Sequence, residues 1–516
     1  MTSTRWSRRR FLQRTGQLTG ALVLGAGVDG LLPCSAPRAN APLVATGLRP
    51  NGPPALGLDG PELEAVLAEL VRQLERKALY ASAFAEHRGG LDARTERNER
   101  SLDFDAETRG VVFQAYDGVR FREAATDRMD ADSLRSIVRE LERDLTKPSS
   151  RTGGPDPGSP VRRRFVSPAQ IDPDSIPTTG WLDVAEDILE RVHASDARIV
   201  NASTGAQHRW RRTLFVNRTR SIHQTLHTIG VRAFAFAMEN GKPAPAFMAR
   251  RRIGGFEHTS FDDGAIRELA TIVDDLLRSE RIPPGQYEVV TSPAITGLLA
   301  HESFGHGVEY DQFIKGRAKA AHFLGKSVAP EIVSIWDDPT QADGNGTYYY
   351  DDEGWEATPT AIVEGGVFRR PITDLFSSFS GDAERTANGR RESFANKAYA
   401  RMSNTYFGRG TSPVDELVGS LEDGIYLDGF QSGIEDPHGW GIQLTCNRGY
   451  EIKHGVRTGR VFSPIGVTGY VPDILASITH VGNDFRLVPG TCGKGHKEFV
   501  PVSTGGPHLR FTAQLG

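Results

Sequence analysis

Ser292-Pro293-Ala294-Ile295-Thr296-Gly297-Leu298-Leu299-Ala300-His301-Glu302-Ser303-Phe304-Gly305-His306-Gly307 reads as a helix with a chemically loaded end. Ser292 offers a capping hydroxyl, and Pro293 suits the first helical position. Ile295, Leu298 and Leu299 carry the helix to His301 and Glu302. Two histidines flanking a carboxylate supply what a hydrolytic zinc needs: imidazole ligands, one position left for water, and a non-ligand carboxylate to take the water's proton. His301 and His306 are therefore candidate ligands and Glu302 the candidate general base. The histidines stand five residues apart rather than four, so on an ideal helix their rings would point about 140° apart. A widened turn, or an irregular exit at Gly305, would bring both rings to one side, and Gly305 and Gly307 make that departure inexpensive. With 14 histidines in the chain, such a string arises by chance on the order of a few per cent of the time, so it needs support from elsewhere.

Upstream, a helix is expected from near Asp59, with Pro61 in its first turn and Leu63, Val66, Leu67, Leu70 and Leu74 on one face. Strand-like runs follow at 79–86, 101–105 and 111–125, then a second amphipathic helix carrying Leu134, Ile137, Val138, Leu141 and Leu145. Residues 60–146 thus read as an α/β domain. The Pro- and Gly-rich run 147–160 reads as a flexible linker. Beyond it, residues 161–284 read as a middle α/β region, with a helix over 181–193 and strands over 210–248. There Phe234, Phe236 and Met238 alternate with Ala233, Ala235 and Ala237, so large and small side chains face opposite sides. A third amphipathic helix carries Ile266, Leu269, Ile272, Val273, Leu276 and Leu277. Residues 285–516, rich in glycine and β-branched residues, read as a mainly β catalytic domain, which makes the expected class α+β.

The chain has 516 residues, 38% hydrophobic and 24% charged, with a formal charge of -4. That is the composition of an ordinary globular protein of two or more domains. It carries no basic field to attract phosphate backbones, so nucleic acid is not an expected partner.

Residues 1–41 stand apart. Ser7-Arg8-Arg9-Arg10-Phe11-Leu12 followed by a mildly apolar, Gly-rich run from Leu18 to Leu32 has the layout of a twin-arginine export signal. Export to the periplasm or another extracytoplasmic space is the working expectation, with a cytoplasmic setting as the alternative. The apolar run is interrupted by Asp29 and is too short for a stable membrane span, and no other stretch approaches one. Cleavage near Ala39-Asn40-Ala41 and lipidation at Cys34 are both open.

Four separated motifs add support to the histidine string. His301-Glu302 is followed by Gly305-His306-Gly307-Val308-Glu309-Tyr310-Asp311, then by Tyr350-Asp351-Asp352-Glu353-Gly354. Further on come Asn388-Gly389-Arg390-Arg391-Glu392-Ser393 with Arg401-Met402-Ser403-Asn404-Thr405, and Gly490-Thr491-Cys492-Gly493-Lys494. In this order they resemble the TldD/PmbA family of metallopeptidases, from roughly Leu63 to the C-terminus and most strongly after Pro293. The resemblance implies that His301, His306 and Cys492 hold zinc and that Glu302 activates water, as in the family's peptidase type rather than its partner type, which lacks the motif. It also implies an α/β N-terminal region before a β-rich catalytic domain, a homodimer or a heterodimer with a related chain, and short or unfolded peptides as substrates. The export signal and the 147–160 insertion depart from the family's pattern.

Read by itself, Cys492 lies between glycines that allow a tight turn, with Lys494 and His496 placed to favour the thiolate that binds metal. Its alternative is a disulfide with Cys446, the default pairing in an oxidising compartment once Cys34 is removed. His438, His454, His480 and His496 are weaker candidates to complete the site. Glu309 and Asp311 could orient a ligand imidazole or form a solvated acidic turn. Arg390 and Arg391 could hold a substrate carboxylate or pair with Glu392. The leading function is zinc-dependent peptide hydrolysis, and the alternative is a non-catalytic scaffold subunit of such a dimer. A redox role finds no Gly-rich nucleotide fingerprint and no cysteine cluster.

Overall fold

The computed structural model describes residues 56–97, 99–146, 148, 153–494 and 498–516. The expected signal 1–41, Cys34 and His496 lie outside the described residues. The first two helices form as their patterns dictate. In α1 (Pro61–Leu74), Leu63, Leu67, Leu70, Val71 and Leu74 are buried. In α2 (Ala131–Asp144), Asp130 caps the first turn by accepting from the Ser133 amide, and Leu134, Val138 and Leu141 are buried.

Both helices cover one end of a seven-stranded sheet built from β1 (Tyr80–Glu96), β2 (Glu99–Tyr116), β3 (Phe121–Thr126), β4 (Val161–Val166), β5 (Ile199–Asn217), β6 (Arg220–Glu239) and β7 (Lys242–Ile253). The strand order is β3-β2-β1-β5-β6, with β4 and β7 both paired to β6. The runs expected at 101–105 and 111–116 are one strand, and the turn before β3 separates what was read as a single run to residue 125. Pairing of β1 with β5, from Ser82 opposite Asn217 to Glu96 opposite Ser203, puts residues on both sides of the 147–160 stretch into one sheet.

That stretch, expected to be a flexible linker, is fastened down where it is described. The Pro157 carbonyl accepts from Asn217 Nδ2 at 2.9 Å, and the Ser159 carbonyl accepts from Arg220 Nε at 3.0 Å. These two carbonyls thus have fixed partners despite the proline-rich composition. On β6 the alternation holds, and the small side chains are the buried ones. Ala233, Ala235 and Ala237 lie in a core shared with α3 (Thr178–Ser195) and α4 (Asp263–Arg278), while Met238 is 41% exposed. Alanines under the helices let helix and sheet approach closely.

The C-terminal half holds two further sheets. In one, β8 (Gly285–Thr291), β15 (Asp423–Asp436), β16 (Gly441–Lys453), β18 (Ile465–Tyr470) and β22 (Leu509–Leu515) pair into a closed ring, with β17 (Val456–Phe462) and β19 (His480–Val481) added at its margins. The other runs β11 (Val367–Phe368), β10 (Thr360–Glu364), β9 (Ile335–Asp337), β14 (Asn404–Phe407), β21 (Glu498–Gly506) and β20 (Arg486–Lys494), leaving β20 as an edge strand. A small hairpin, β12 (Gly389–Arg390) and β13 (Tyr399–Ala400), stands apart.

Helix α5 (Pro293–Phe304) packs against β14, β20 and β21 on one side and β15 and β16 on the other. All of its residues are buried, which is why its sequence is apolar all round until the histidine. The architecture is α+β and rich in strand. Among the described residues, no helix is long and apolar enough to cross a membrane.

Candidate active site

The exit from α5 sets the geometry. The helix ends at Phe304, and Gly305 leaves it at φ -98° and ψ -82° while its amide still bonds the His301 carbonyl at 3.1 Å. A short 3₁₀ turn, His306–Val308, follows. The five-residue spacing is thus absorbed by an irregular exit at Gly305, and the two imidazoles come face to edge with centroids 5.1 Å apart. A Cβ on Gly305 would lie 2.1 Å from Met402 Sδ and 2.3 Å from the His301 carbonyl oxygen. At the other end the expectation needs correcting. Ser292 occupies the N-cap position, but its hydroxyl makes no capping bond and is buried without a partner. Thr291 Oγ1 and Thr296 Oγ1 bond each other instead, at 2.9 Å.

Cys492 reaches this turn from the edge strand β20. One donor atom from each of His301, His306 and Cys492 lies within 4.8 Å of the others. Cys492 Sγ is 3.3 Å from His306 Nε2. Cys446 and Cys492 are both free, so the disulfide alternative is not formed here. Burial alone would push the Cys492 thiol up, but the charges of His306 and His301 hold it well below the usual thiol range. Burial also works against charge on His306, and the Cys492 sulfur and the Glu309 carboxylate more than offset it, holding the imidazole well above its ordinary value. Each partner thus favours the charged form of the other. Cys446, buried with no such partners, is pushed up instead.

The cation at the sulfur is not the expected Lys494. Arg401 donates from Nη2 to Cys492 Sγ at 3.4 Å and to the Cys492 carbonyl at 2.7 Å. Lys494 bonds Glu309 Oε2 at 3.1 Å and Asp311 Oδ1 at 2.6 Å. Glu309 Oε2 in turn faces His306 Nδ1 at 3.4 Å, so the carboxylate sits behind the imidazole whose Nε2 points to the sulfur. Burial opposes ionisation of Glu309, and Lys494 and His306 together bring its carboxyl below the usual range.

Glu302 is buried beside the three donors. Burial raises its carboxyl, partly offset by His301 and His306. Strand β15 passes directly over it, where a Cβ on Gly433 would lie 2.6 Å from Glu302 Cγ. Two residues further on, Glu435 has both carboxylate oxygens buried without a hydrogen-bond partner. Burial, with Glu302 and Glu309 adding to it and His306 opposing, pushes this carboxyl up to about 9. Glu435 had no sequence signal of its own, and Arg401, although it opens one of the motifs quoted above, had none that tied it to the sulfur; both reach the site through contacts between segments far apart in the chain.

The remaining candidates lie elsewhere. Arg390 donates to the Met402 carbonyl, and Arg391 pairs with Glu123 rather than with Glu392 or a free anion; both are buried. His454 pairs with Glu422 on the surface, and His438 and His480 join no group of metal donors among the described residues. A second cluster, Asp174, His208 and His227, is close enough to hold an ion. There, however, His208 Nε2 and His227 Nδ1 bond each other at 2.9 Å, with ring centroids 5.2 Å apart and planes within 20°. The facing nitrogens are already used by one N–H···N bond.

Two imidazoles and a thiolate, with His301 Nδ1 buried and unpartnered, form a three-donor set suited to a zinc that takes water as its fourth ligand. Comparison with known proteins agrees with that chemistry. Residues 284–514 match the profile of the PmbA/TldA metallopeptidase C-terminal domain. A metalloprotease of Methanothermobacter thermautotrophicus is 35% identical over 262 residues, 50% of this chain and 56% of that protein. A zinc metalloprotease TldD homolog of Saccharolobus solfataricus is 31% identical over 263 residues, 50% of this chain and 57% of that protein. The chain thus spans little more than half the length of these relatives. In fold it resembles TldE of Thermococcus kodakarensis, at a TM-score of 0.69 and 15% identity over 87% of this chain and 99% of that one. The C-terminal half is thus similar in sequence to metallopeptidases of the PmbA/TldD family, and most of the chain shares the fold of TldE.

Proposed function

We propose that this chain is a zinc-dependent peptidase acting on short or unfolded peptides. The observation that carries the reading is the convergence of His301, His306 and Cys492, beside a buried Glu302 that is not one of the three donors. A bound zinc ion would supply a Lewis acid that makes water a nucleophile near neutral pH and polarises the scissile carbonyl. His301, His306 and Cys492 would hold it, the first two as neutral imidazoles and the third as a thiolate. Glu302 takes the proton from the attacking water and returns it to the leaving amine, a shuttle that its burial favours by keeping its carboxyl above the ordinary range. Glu309 orients His306, and Lys494 keeps Glu309 ionised.

Export rests on the arginine motif at 8–12 and the apolar run behind it. Dimerisation, with itself or with a related chain, rests on the family resemblance. The deciding measurement is metal content of purified wild type beside Cys492→Ala. About one zinc per chain, lost in the variant, supports the three-donor site. A carefully prepared wild type without metal would point to the scaffold reading, and zinc indifferent to the substitution would require another third ligand.

A further inference from the structure

The segment after the metal-binding turn carries positive charge that the peptidase chemistry does not use. Helix α6 (Tyr310–Ile314) is followed by Gly316 in the left-handed region at φ 64°. Beyond it, Arg317, Ala318, Lys319 and His322, with His438 from the turn between β15 and β16, wall a cavity of about 360 Å³. Every ionisable side chain in that wall is a cation or becomes one on protonation.

Two other cations near the metal-binding turn are paired: Lys315 bonds Asp311 at 2.8 Å, and Lys494 bonds both Asp311 and Glu309. By contrast, the side chains of Arg317, His322 and His438 have no hydrogen-bonding, ion-pairing or ring partner among the described residues. Lys319 has only the face of Tyr470, 4.5 Å away. Of the nearby acids, Asp311 is engaged as above and Asp436 accepts from the amides of His438 and Gly439 at 3.1 and 3.0 Å, while the unpartnered carboxylate of Glu435 is buried against Gly307 on the metal-donor side.

Arg317, His322 and His438 are exposed and Lys319 is half-buried, yet the wall is not one face of a single helix, being assembled from two distant segments. The Lys319 amide donates to the Pro437 carbonyl at 2.9 Å and holds them together. The wall is also coupled to the reacting helix. Phe323 packs on Trp440 with centroids 5.1 Å apart, and Trp440 Nε1 donates to the carbonyl of Ser303, the residue after Glu302. Convergent like charges beside a reaction site favour an anionic ligand.

We infer that this pocket binds a carboxylate of the peptide substrate, its C-terminal α-carboxylate or an acidic side chain, with Arg317 and Lys319 as the charge partners. The substrate named here rests on the peptidase reading; the affinity for an anion does not. The volume is at the lower end for ligand sites, so the pocket takes one or two residues of a short tail rather than a folded chain. Arginine matches a carboxylate with two parallel N–H donors.

The test uses the full zinc-loaded chain in two arms. Calorimetric titration with inorganic phosphate, the simplest anionic probe, should show binding to wild type that weakens about tenfold or more in the doubly substituted Arg317→Gln, Lys319→Gln protein. Equal affinities, or no binding to either, would overturn the pocket. Kinetics on one peptide as free acid and as C-terminal amide should give a KM about tenfold higher for the amide at similar kcat, with the double variant treating both alike. Equal KM values in wild type, repeated with an acidic and an amidated side chain, would overturn the substrate assignment. A chain that turns over no peptide would sink the peptidase reading and the carboxylate assignment with it, while the phosphate titration still decides whether the pocket takes an anion.

Discussion

Two buried acids beside the metal donors differ in what touches them, and that separates their roles. Glu302 is one residue from His301 and has no hydrogen-bond partner among the described residues, which leaves its carboxyl available to a water. Glu302→Gln keeps the shape and the three donors; zinc content should stay at the wild-type level while kcat falls by roughly 10²–10⁴. Loss of metal together with activity would instead make Glu302 part of the ligand set. Glu309 works from behind His306, and its charge is balanced by Lys494 at 3.1 Å. Glu309→Gln should leave the zinc bound but lower its affinity by about 10–100-fold, read by competition with a chromophoric chelator. The motif made His301, Glu302 and His306 legible because their chemistry is compressed into a few residues. Arg401 could not be assigned to the sulfur in the same way, because its contact with Cys492 depends on how the segment between β13 and β14 is placed against β20, far away in the chain.

At the scale of elements, the site is a helix gripped between two sheets, and glycines mark where the grip is tightest. A Cβ at Gly297 would lie 2.2 Å from the Gly505 amide nitrogen, so backbone would have to move. Gly297→Ala should therefore cost on the order of 3 kcal/mol of stability, seen as a lower Tm. Gly433 is different in kind. The atoms its Cβ would meet belong to the Glu302 side chain, and a side chain can turn away at less cost than a strand can shift. Gly433→Ala should accordingly keep the fold and the zinc but lose turnover, reproducing Glu302→Gln without touching the acid. A fall in Tm as large as that of Gly297→Ala would show that β15 and not Glu302 yields.

Helices α1, α2 and α4 could be read from periodicity, because amphipathic stripes are local. The joining of β1 to β5 could not, since nothing in either strand names its partner, and the proline-rich run between them obscured it. The exit at Gly305 was legible for a geometric reason: a five-residue histidine spacing demands a break, and only glycine sits where the break is cheap.

Over the whole molecule, buried charge joins the N-terminal sheet to the C-terminal half. Arg211 on β5 bonds Glu86 on β1 at 2.6 Å and Asp352 at 2.9 and 3.1 Å, and Asp352 also accepts the Arg391 amide at 2.7 Å. Next to it, Glu353 accepts the Leu375 amide at 2.6 Å and lies 3.7 Å from Arg385. Burial, and then the Asp374 charge, push its carboxyl up to about 8 against the pull of Arg385. The folded chain therefore keeps this proton up to about pH 8, whereas the unfolded chain releases it near the ordinary glutamate value of about 4.3. Between those limits the folded state binds more protons, so stability from this group is complete below the window and is lost as pH rises through it. Zinc binding changes in the opposite sense, because ligand protonation weakens it as pH falls. Thermal unfolding of wild type and Glu353→Gln across pH 5 to 9, each in excess chelator, separates the two. Wild type should lose stability toward alkaline pH by up to one proton's slope, about 1.4 kcal/mol per pH unit, and the variant should lose less. Parallel curves would mean that Glu353 is ionised in the folded protein, with Arg385 outweighing its burial.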